Sequence, residues 1–206
     1  MTSPYETGLA KTEANYQPLT PTSFLARSAR VYPDHPAIVH GNQRFTYAQF
    51  YARARKLASA LAAKGITKGD TVSVMLANTP PMLEAHYGVP MTGGVLNTMN
   101  TRLDARIIAF TLSHAETKVL IVDREFSSLV AEALTMMDGD RPFIIDYDDP
   151  EFAQSGPMIG DVEYEAFIAD SDENYQWKVP DDEWDAISLN YTSGTTGNPK
   201  GVVYHH

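Results

Sequence analysis

The sequence contains no cysteine. Disulfide staples, thiolate nucleophiles and Cys-based zinc sites are therefore excluded. Long apolar runs are missing as well. No run of 18 hydrophobic residues occurs, so no transmembrane helix is expected. The first 20 residues are polar, include Glu6 and Glu13, and lack the basic start and apolar centre of a secretory signal. These absences together lead to an expected cytosolic, cytoplasmic location. Positive charge is scarce too: 16 Lys and Arg stand against 26 Asp and Glu, a net charge of −10. Nucleic acid is not an expected partner, because neutralising phosphates needs clustered cations. The acidic residues concentrate at 146–151, 161–165, 170–173 and 181–185 without EF-hand spacing. They are expected on solvated loops and helix starts.

What remains is a chain of 206 residues, 43% of them hydrophobic, enough for one ordinary core. Residues 1–20 form an expected extended arm, rich in Thr, Pro and Tyr and without a period. A helix is expected from Thr22 to Val31, then a hairpin around Gly41-Asn42. Thr46 and Gln49 have capping-box spacing, Phe45 and Phe50 that of a hydrophobic staple, and Gly65 marks the end of that helix. Phe50, Ala54, Leu57 and Leu61 share its apolar face; Arg53, Arg55 and Lys56 are expected in solvent. Strands are expected at 71–76, 95–99, 118–123 and 143–146, and helices from Pro80, from Asp104 to His114, and over 127–137. Leu83, Tyr87 and Met91 form the expected apolar face of the helix that starts at Pro80. The segment 161–169 reads as a short helix. This alternation predicts an α/β fold, a parallel-rich sheet flanked by helices.

Tyr191–Gly201 reads Y-T-S-G-T-T-G-N-P-K-G between two apolar runs, Ala186–Leu189 and Val202–Tyr204. Its composition rules out a helix or a central strand. Glycines that let backbone N–H groups converge, hydroxyls that donate, and the cation of Lys200 suit a phosphate cradle. A long hairpin turn of no further purpose has the same composition. A P-loop NTPase does not fit: Lys200 follows Pro199 rather than Gly, and the continuation Val202-Val203 suggests a strand, not a helix. Tyr191 and Tyr204 are expected to pack within strands, and His35 to lie on the surface. His205 and His206, adjacent on a strand, would face opposite ways and could not share a metal.

The Tyr191–Gly201 stretch resembles the phosphate-binding signature of adenylate-forming (AMP-binding) enzymes. That group includes acyl-CoA synthetases, luciferases and peptide-synthetase adenylation domains. Arg44-Phe45-Thr46-Tyr47 resembles the family's entry into its first long helix, and Gly93–Leu103 its G-[GA]-V-x-x-x-x-N-x-R-L segment. The wording at Val95–Leu103 and Val202–His206 is most similar to short- and medium-chain acyl-CoA ligases of the methylmercaptopropionate-CoA ligase type. The resemblance implies that residues 21–206 are a partial AMP-binding domain, the N-terminal portion of the family's large domain. It also implies ATP-dependent activation of a carboxylic acid to an acyl-adenylate, followed by transfer to coenzyme A, within fatty acid metabolism. ATP, Mg²⁺ and CoA would then be required. Thr192, Ser193, Gly194, Thr195, Thr196, Gly197 and Lys200 would hold the nucleotide phosphates, with Thr192 also touching Mg²⁺. No catalytic residue is assigned in this segment, and a homodimer is left open. Family members usually run well past twice this length, so 206 residues alone are expected to be inactive as a ligase. The alternative is a non-catalytic nucleotide-phosphate-binding fragment or pseudoenzyme.

Overall fold

The computed structural model describes residues 3–192 and 198–206. The elements run α1 (Pro21–Val31), β1 (Pro36–His40), β2 (Gln43–Thr46), α2 (Tyr47–Ala63), β3 (Thr71–Met75), α3 (Pro80–Gly88), β4 (Val95–Thr98), α4 (Ala105–His114), β5 (Thr117–Asp123), α5 (Ser127–Met136), β6 (Phe143–Tyr147), β7 (Val162–Glu163), α6 (Tyr164–Ile168), β8 (Ala186–Tyr191) and β9 (Gly201–His205). β1 and β2 form a separate hairpin, and the other strands make one sheet in the order β7-β6-β5-β3-β4-β8-β9. Within it β9 pairs antiparallel with β8, while the other described pairings are parallel.

Strand alternation builds the two layers. Val72, Val74, Val119, Ile121 and Ile145 point to one face, where Leu57 and Leu61 of α2, Ala85 of α3 and Ile168 of α6 cover them. Met75, Leu120, Val122 and Ile144 point to the other, under Ile108 and Leu112 of α4 and Val130 and Ala133 of α5. Burial on both faces is what a central parallel sheet requires, and every residue of β3 is buried. The capping box of α2 is formed: the Thr46 hydroxyl accepts from the Gln49 N–H, and the Gln49 side-chain Oε1 accepts from the Thr46 N–H. Phe50 is buried and Phe45 packs with its cluster. Gly65 takes a φ of 87°, which ends the helix.

Four expectations are corrected. Arg53 is not a solvated residue. Its guanidinium bonds both oxygens of Glu84, at 2.5 and 3.3 Å, and both oxygens of Glu165. Glu84 is fully buried and also accepts from the Tyr164 hydroxyl at 2.6 Å. That clasp turns Glu84 inward and moves the buried face of α3 to Pro81, Glu84, Ala85 and Gly88, leaving Leu83 43% exposed. Gly88 lies so close to α2 that a Cβ there would stand 2.9 Å from the Ala54 carbonyl oxygen. The acidic stretch at 146–151 is not wholly solvated either. Asp146 is buried and accepts from the Ile159 and Gly160 N–H groups, while Asp149 is buried against His40, 2.9 Å away. The fourth correction is the segment 161–169, which opens as strand β7. The Glu163 carboxylate then caps the short α6 by accepting from the Ala166 N–H.

Candidate functional site

The carboxyl ends of β4 and β8 lie side by side, with α4 passing over them. The Asp104 carboxylate caps the start of α4, accepting from the Ile107 N–H at 2.9 Å. β8 is tied to β4 by one register pair, Leu96 with Ser188. Side chains complete the join. The Asn97 amide donates to the Leu189 carbonyl at 2.8 Å, and the Thr98 hydroxyl donates to the Asn190 side chain at 2.8 Å. Asn97 is fully buried, and its own carbonyl accepts from the Ser73 hydroxyl, which is in turn 2.7 Å from that of Thr117. A polar chain therefore crosses β5, β3 and β4 and ends on β8.

Past Tyr191 the hairpin narrows to a neck. The Thr192 N–H donates to the Lys200 carbonyl at 3.1 Å, and Tyr191 stands in register with Gly201. Among the expected phosphate-binding residues, Thr192 and Lys200 thus face each other across the neck, both exposed. Ser193, Gly194, Thr195, Thr196 and Gly197 lie outside the described residues. Two hollows flank the neck. One, of about 300 Å³, is lined by Thr98, Met99, Asn100, Thr111, Asn190 and Thr192. The buried hydroxyl of Thr111 has no partner among the described residues. The other, of about 450 Å³, is lined by Arg106, Phe110, His114 and Asn198. Arg106 and Lys200 are the cations on this rim, both exposed. An anionic ligand held at the neck would therefore meet these two exposed positive charges.

Tyr191 is half-buried, and burial raises its phenol above the ordinary range. Its hydroxyl is 2.7 Å from His114 Nδ1. The sequence reading assigned nothing to His114, Asn97, Thr98 or Asn190. The available signal was the polar character of Asn97 and Asn190 in strands that a parallel sheet should fill with apolar residues.

Magnesium has little to bind here in the protein itself. Among the described residues, no three of His, Cys, Asp and Glu stand where they could hold an ion. A single Thr192 hydroxyl suits Mg²⁺ only if substrate phosphates supply most of its oxygens. His205 and His206 are engaged elsewhere: His205 stacks on Trp184 at 4.6 Å, and His206 Nδ1 lies 2.7 Å from the Thr20 hydroxyl.

The sheet is of the α/β class, and comparison with known proteins gives the family. The profile of the AMP-binding enzyme family matches residues 25–206, so the chain belongs to that family. It is 47% identical over 208 aligned residues to a peroxisomal acetate/butyrate–CoA ligase of Arabidopsis thaliana, covering 96% of this chain and 37% of that one. An acetate–CoA ligase of Humulus lupulus is 43% identical, again over 96% of this chain and 37% of the relative. The chain thus spans little more than a third of the length of the curated relatives it matches. Among solved structures, an anthranilate–CoA ligase bound to anthranoyl-AMP superposes with a TM-score of 0.78, at 24% identity, over 89% of this chain and 34% of that one. That likeness is one of fold.

Proposed function

We propose that this chain is the ATP-phosphate-binding portion of an acid–thiol ligase, spanning a partial AMP-binding domain over residues 21–206 behind an N-terminal arm. The reaction has two steps. A carboxylate attacks the α-phosphorus of ATP and releases pyrophosphate, and the thiol of coenzyme A then displaces AMP from the acyl-adenylate. The observation that carries this reading is the neck. It closes the Thr192–Lys200 loop by a backbone hydrogen bond and holds it at the carboxyl ends of parallel strands, with Lys200 exposed beside it. Open α/β sheets bind ligands at that edge.

As pyrophosphate leaves, negative charge builds on the bridging and β,γ-phosphate oxygens. Fixed donors and a cation placed there lower the barrier by stabilising that charge. In this proposal Ser193–Gly197 supply the backbone and hydroxyl donors, Lys200 the cation, and Thr192 one oxygen to a magnesium ion carried by the phosphates. When bound, that ion would add further charge neutralisation. No group in the chain is assigned to take or give a proton.

The substrate class proposed is a short- or medium-chain carboxylic acid, as the names of the acetate and butyrate ligases suggest. The wording at Val95–Leu103 adds 3-methylmercaptopropionate to the candidates. Ligase turnover is proposed for a protein of the relatives' length, and phosphate binding alone for these 206 residues. The cytosolic location expected above finds no support in a relative that is peroxisomal by name. Lack of cysteine means only that no disulfide is needed, which fits either compartment.

Incorporation of labelled pyrophosphate into ATP, with acetate, butyrate, benzoate and 3-methylmercaptopropionate supplied in turn, tests the reading. Exchange that depends on one or more of these acids is expected from the full-length protein. No exchange with any acid would overturn it. Sedimentation of the same preparation at twice the protomer mass would support a homodimer.

A further inference from the structure

We propose that His114 and Tyr191 form a positioning pair for the Thr192–Lys200 loop, so that its hold on ATP depends on a helix outside the loop. The inference rests on the ligase reading and goes beyond it by naming what aims the loop.

Tyr191 is placed to govern both of the loop's ends. It is the last residue of β8, and its register partner Gly201 is the first of β9. A Cβ on Gly201 would meet two Tyr191 ring atoms at 3.7 Å and a Leu189 methyl at 3.0 Å. The phenol ring therefore lies along the returning backbone. Its hydroxyl then reaches His114, the last residue of α4, at 2.7 Å. The imidazole has a fixed plane: it stacks on Phe110 one turn earlier, with centroids 5.2 Å apart and planes at 27°. It also meets the Tyr191 ring edge-on at 5.7 Å.

The ladder to β4 does not reach Tyr191, and the ladder to β9 joins the two ends of the loop only to each other. β4 and β8 share one register pair, at Ser188, and Tyr191 lies three residues beyond it. From there each residue is tied to the body of the fold by a side chain: Leu189 by Asn97, Asn190 by Thr98, Tyr191 by His114. The first two bonds fix the strand. The third is the one that adjoins the loop and the one made by a different element. The direction in which the chain leaves and re-enters the fold is set at Tyr191 and Gly201, the two positions that this contact adjoins. Phosphate donors misplaced by about 1 Å lose much of their effect on the reaction.

The test compares Tyr191→Phe, His114→Leu, the double variant and His114→Asn in the full-length protein, by acid-dependent ATP–pyrophosphate exchange and thermal melting. Tyr191→Phe keeps the ring along Gly201 and removes only the hydroxyl. Each of the first two should raise the KM for ATP about tenfold, the factor that corresponds to one lost hydrogen bond. The KM for the acid should stay within about twofold, because the loss falls on phosphate binding alone. The double variant should be no worse than either single one, as for two halves of one contact. His114→Asn, whose amide can stand near the position of Nδ1, should recover most of the affinity. An unchanged KM for ATP in Tyr191→Phe would overturn the pairing. So would single effects that multiply in the double variant, or equal rises in both KM values alongside a lowered melting temperature. Unaltered protein that shows no exchange with any acid would remove the ligase reading and this inference together, whereas active protein with indifferent variants removes only the inference.

Discussion

β5 shares five register pairs with β3 and five with β6, and almost every residue along these strands is buried between helices. At the opposite end of the same sheet, β8 meets β4 at a single pair and every residue of β9 is exposed. One region is held by backbone ladders on both sides of each strand and by apolar packing; the other is a two-strand ladder, β8 with β9, joined to the rest of the sheet mainly by a row of side-chain hydrogen bonds. The difference separates two demands on the chain. The packed half needs only hydrophobic residues at the right period, and many sequences would satisfy it. The hairpin half must hold a loop in one place without burying it, so it uses directional contacts, each specific to the residue that makes it.

The strongest way to break this contrast is Glu84→Ala. Glu84 is fully buried, and it carries two bonds from Arg53 and one from Tyr164. Those contacts hold the Arg53 guanidinium firmly protonated; burial opposes this, but bonding to Glu165 and Glu84 outweighs it. Removing the carboxylate leaves a cation and a phenol without their partner in a closed space. A loss of about 3 kcal/mol is expected, since Glu165 still pairs with Arg53. Thermal denaturation should show it as a fall of roughly 6–12 °C for a chain of this size. The KM for ATP of the folded protein should not move. A raised KM would mean that the two halves are coupled.

Lys200→Ala reverses the pattern. The side chain is exposed beside the neck, so melting should change little. Pyrophosphate exchange should drop by about 100-fold, the scale for removing one preorganised charge stabiliser. Equal activity would remove Lys200 from the site.

How much of each half was legible beforehand follows the same division. Periodicity alone located the central strands, and the Thr46–Gln49 spacing located the capping box, because both are local rules with a fixed stride. The Tyr191–Gly201 stretch stood out because its composition suits no regular element. What escaped was pairwise and distant. Nothing near Arg53 says that Glu84, 31 positions on, will turn inward to meet it. Leu83 looks like part of one helix face with Tyr87 and Met91, which do pack inward, but the clasp leaves it exposed. Asp149 looks like one more surface acid until His40, 109 positions earlier, is brought against it. Asn97 and His114 escaped for a related reason: their importance lies in what they hold, and β8 is about 80–90 residues away from them in the chain.

Asn97→Leu acts on the junction between the halves. It removes the donor to Leu189 and the acceptor for Ser73, both inside the sheet. Ser73 keeps Thr117, but leaving the Leu189 carbonyl without this donor should cost about 2 kcal/mol in urea denaturation. Because the same bond fixes β8, the KM for ATP should also rise, unlike the outcome for Glu84→Ala. Stability lost with ATP affinity unchanged would show that the hairpin is held by β9 and α4 without this bond.

The smallest effect distinguishes the halves by pH. At the packed end, the Ile144 N–H donates to Asp161, and with help from Arg141 this outweighs burial and holds the carboxyl below its ordinary 3.8. A carboxyl depressed in the folded state adds stability above its unfolded pKa and loses it as pH falls through the folded value. Wild type and Asp161→Asn should therefore differ in urea midpoint at about pH 7 and converge as pH falls through the folded value, below which both side chains are neutral. At the hairpin end, Asp185 is likewise held low by Lys68, 2.7 Å away. That hold is an ion pair rather than a backbone hydrogen bond, and salt screens ion pairs. Asp185→Asn should thus show a gap at pH 7 that closes on adding about 1 M salt. A gap for Asp185→Asn that survives salt would mean the hairpin end is better shielded than its exposed β9 suggests. Its contacts would then resemble those of the packed half, and the division drawn from the strand pairings would fail there.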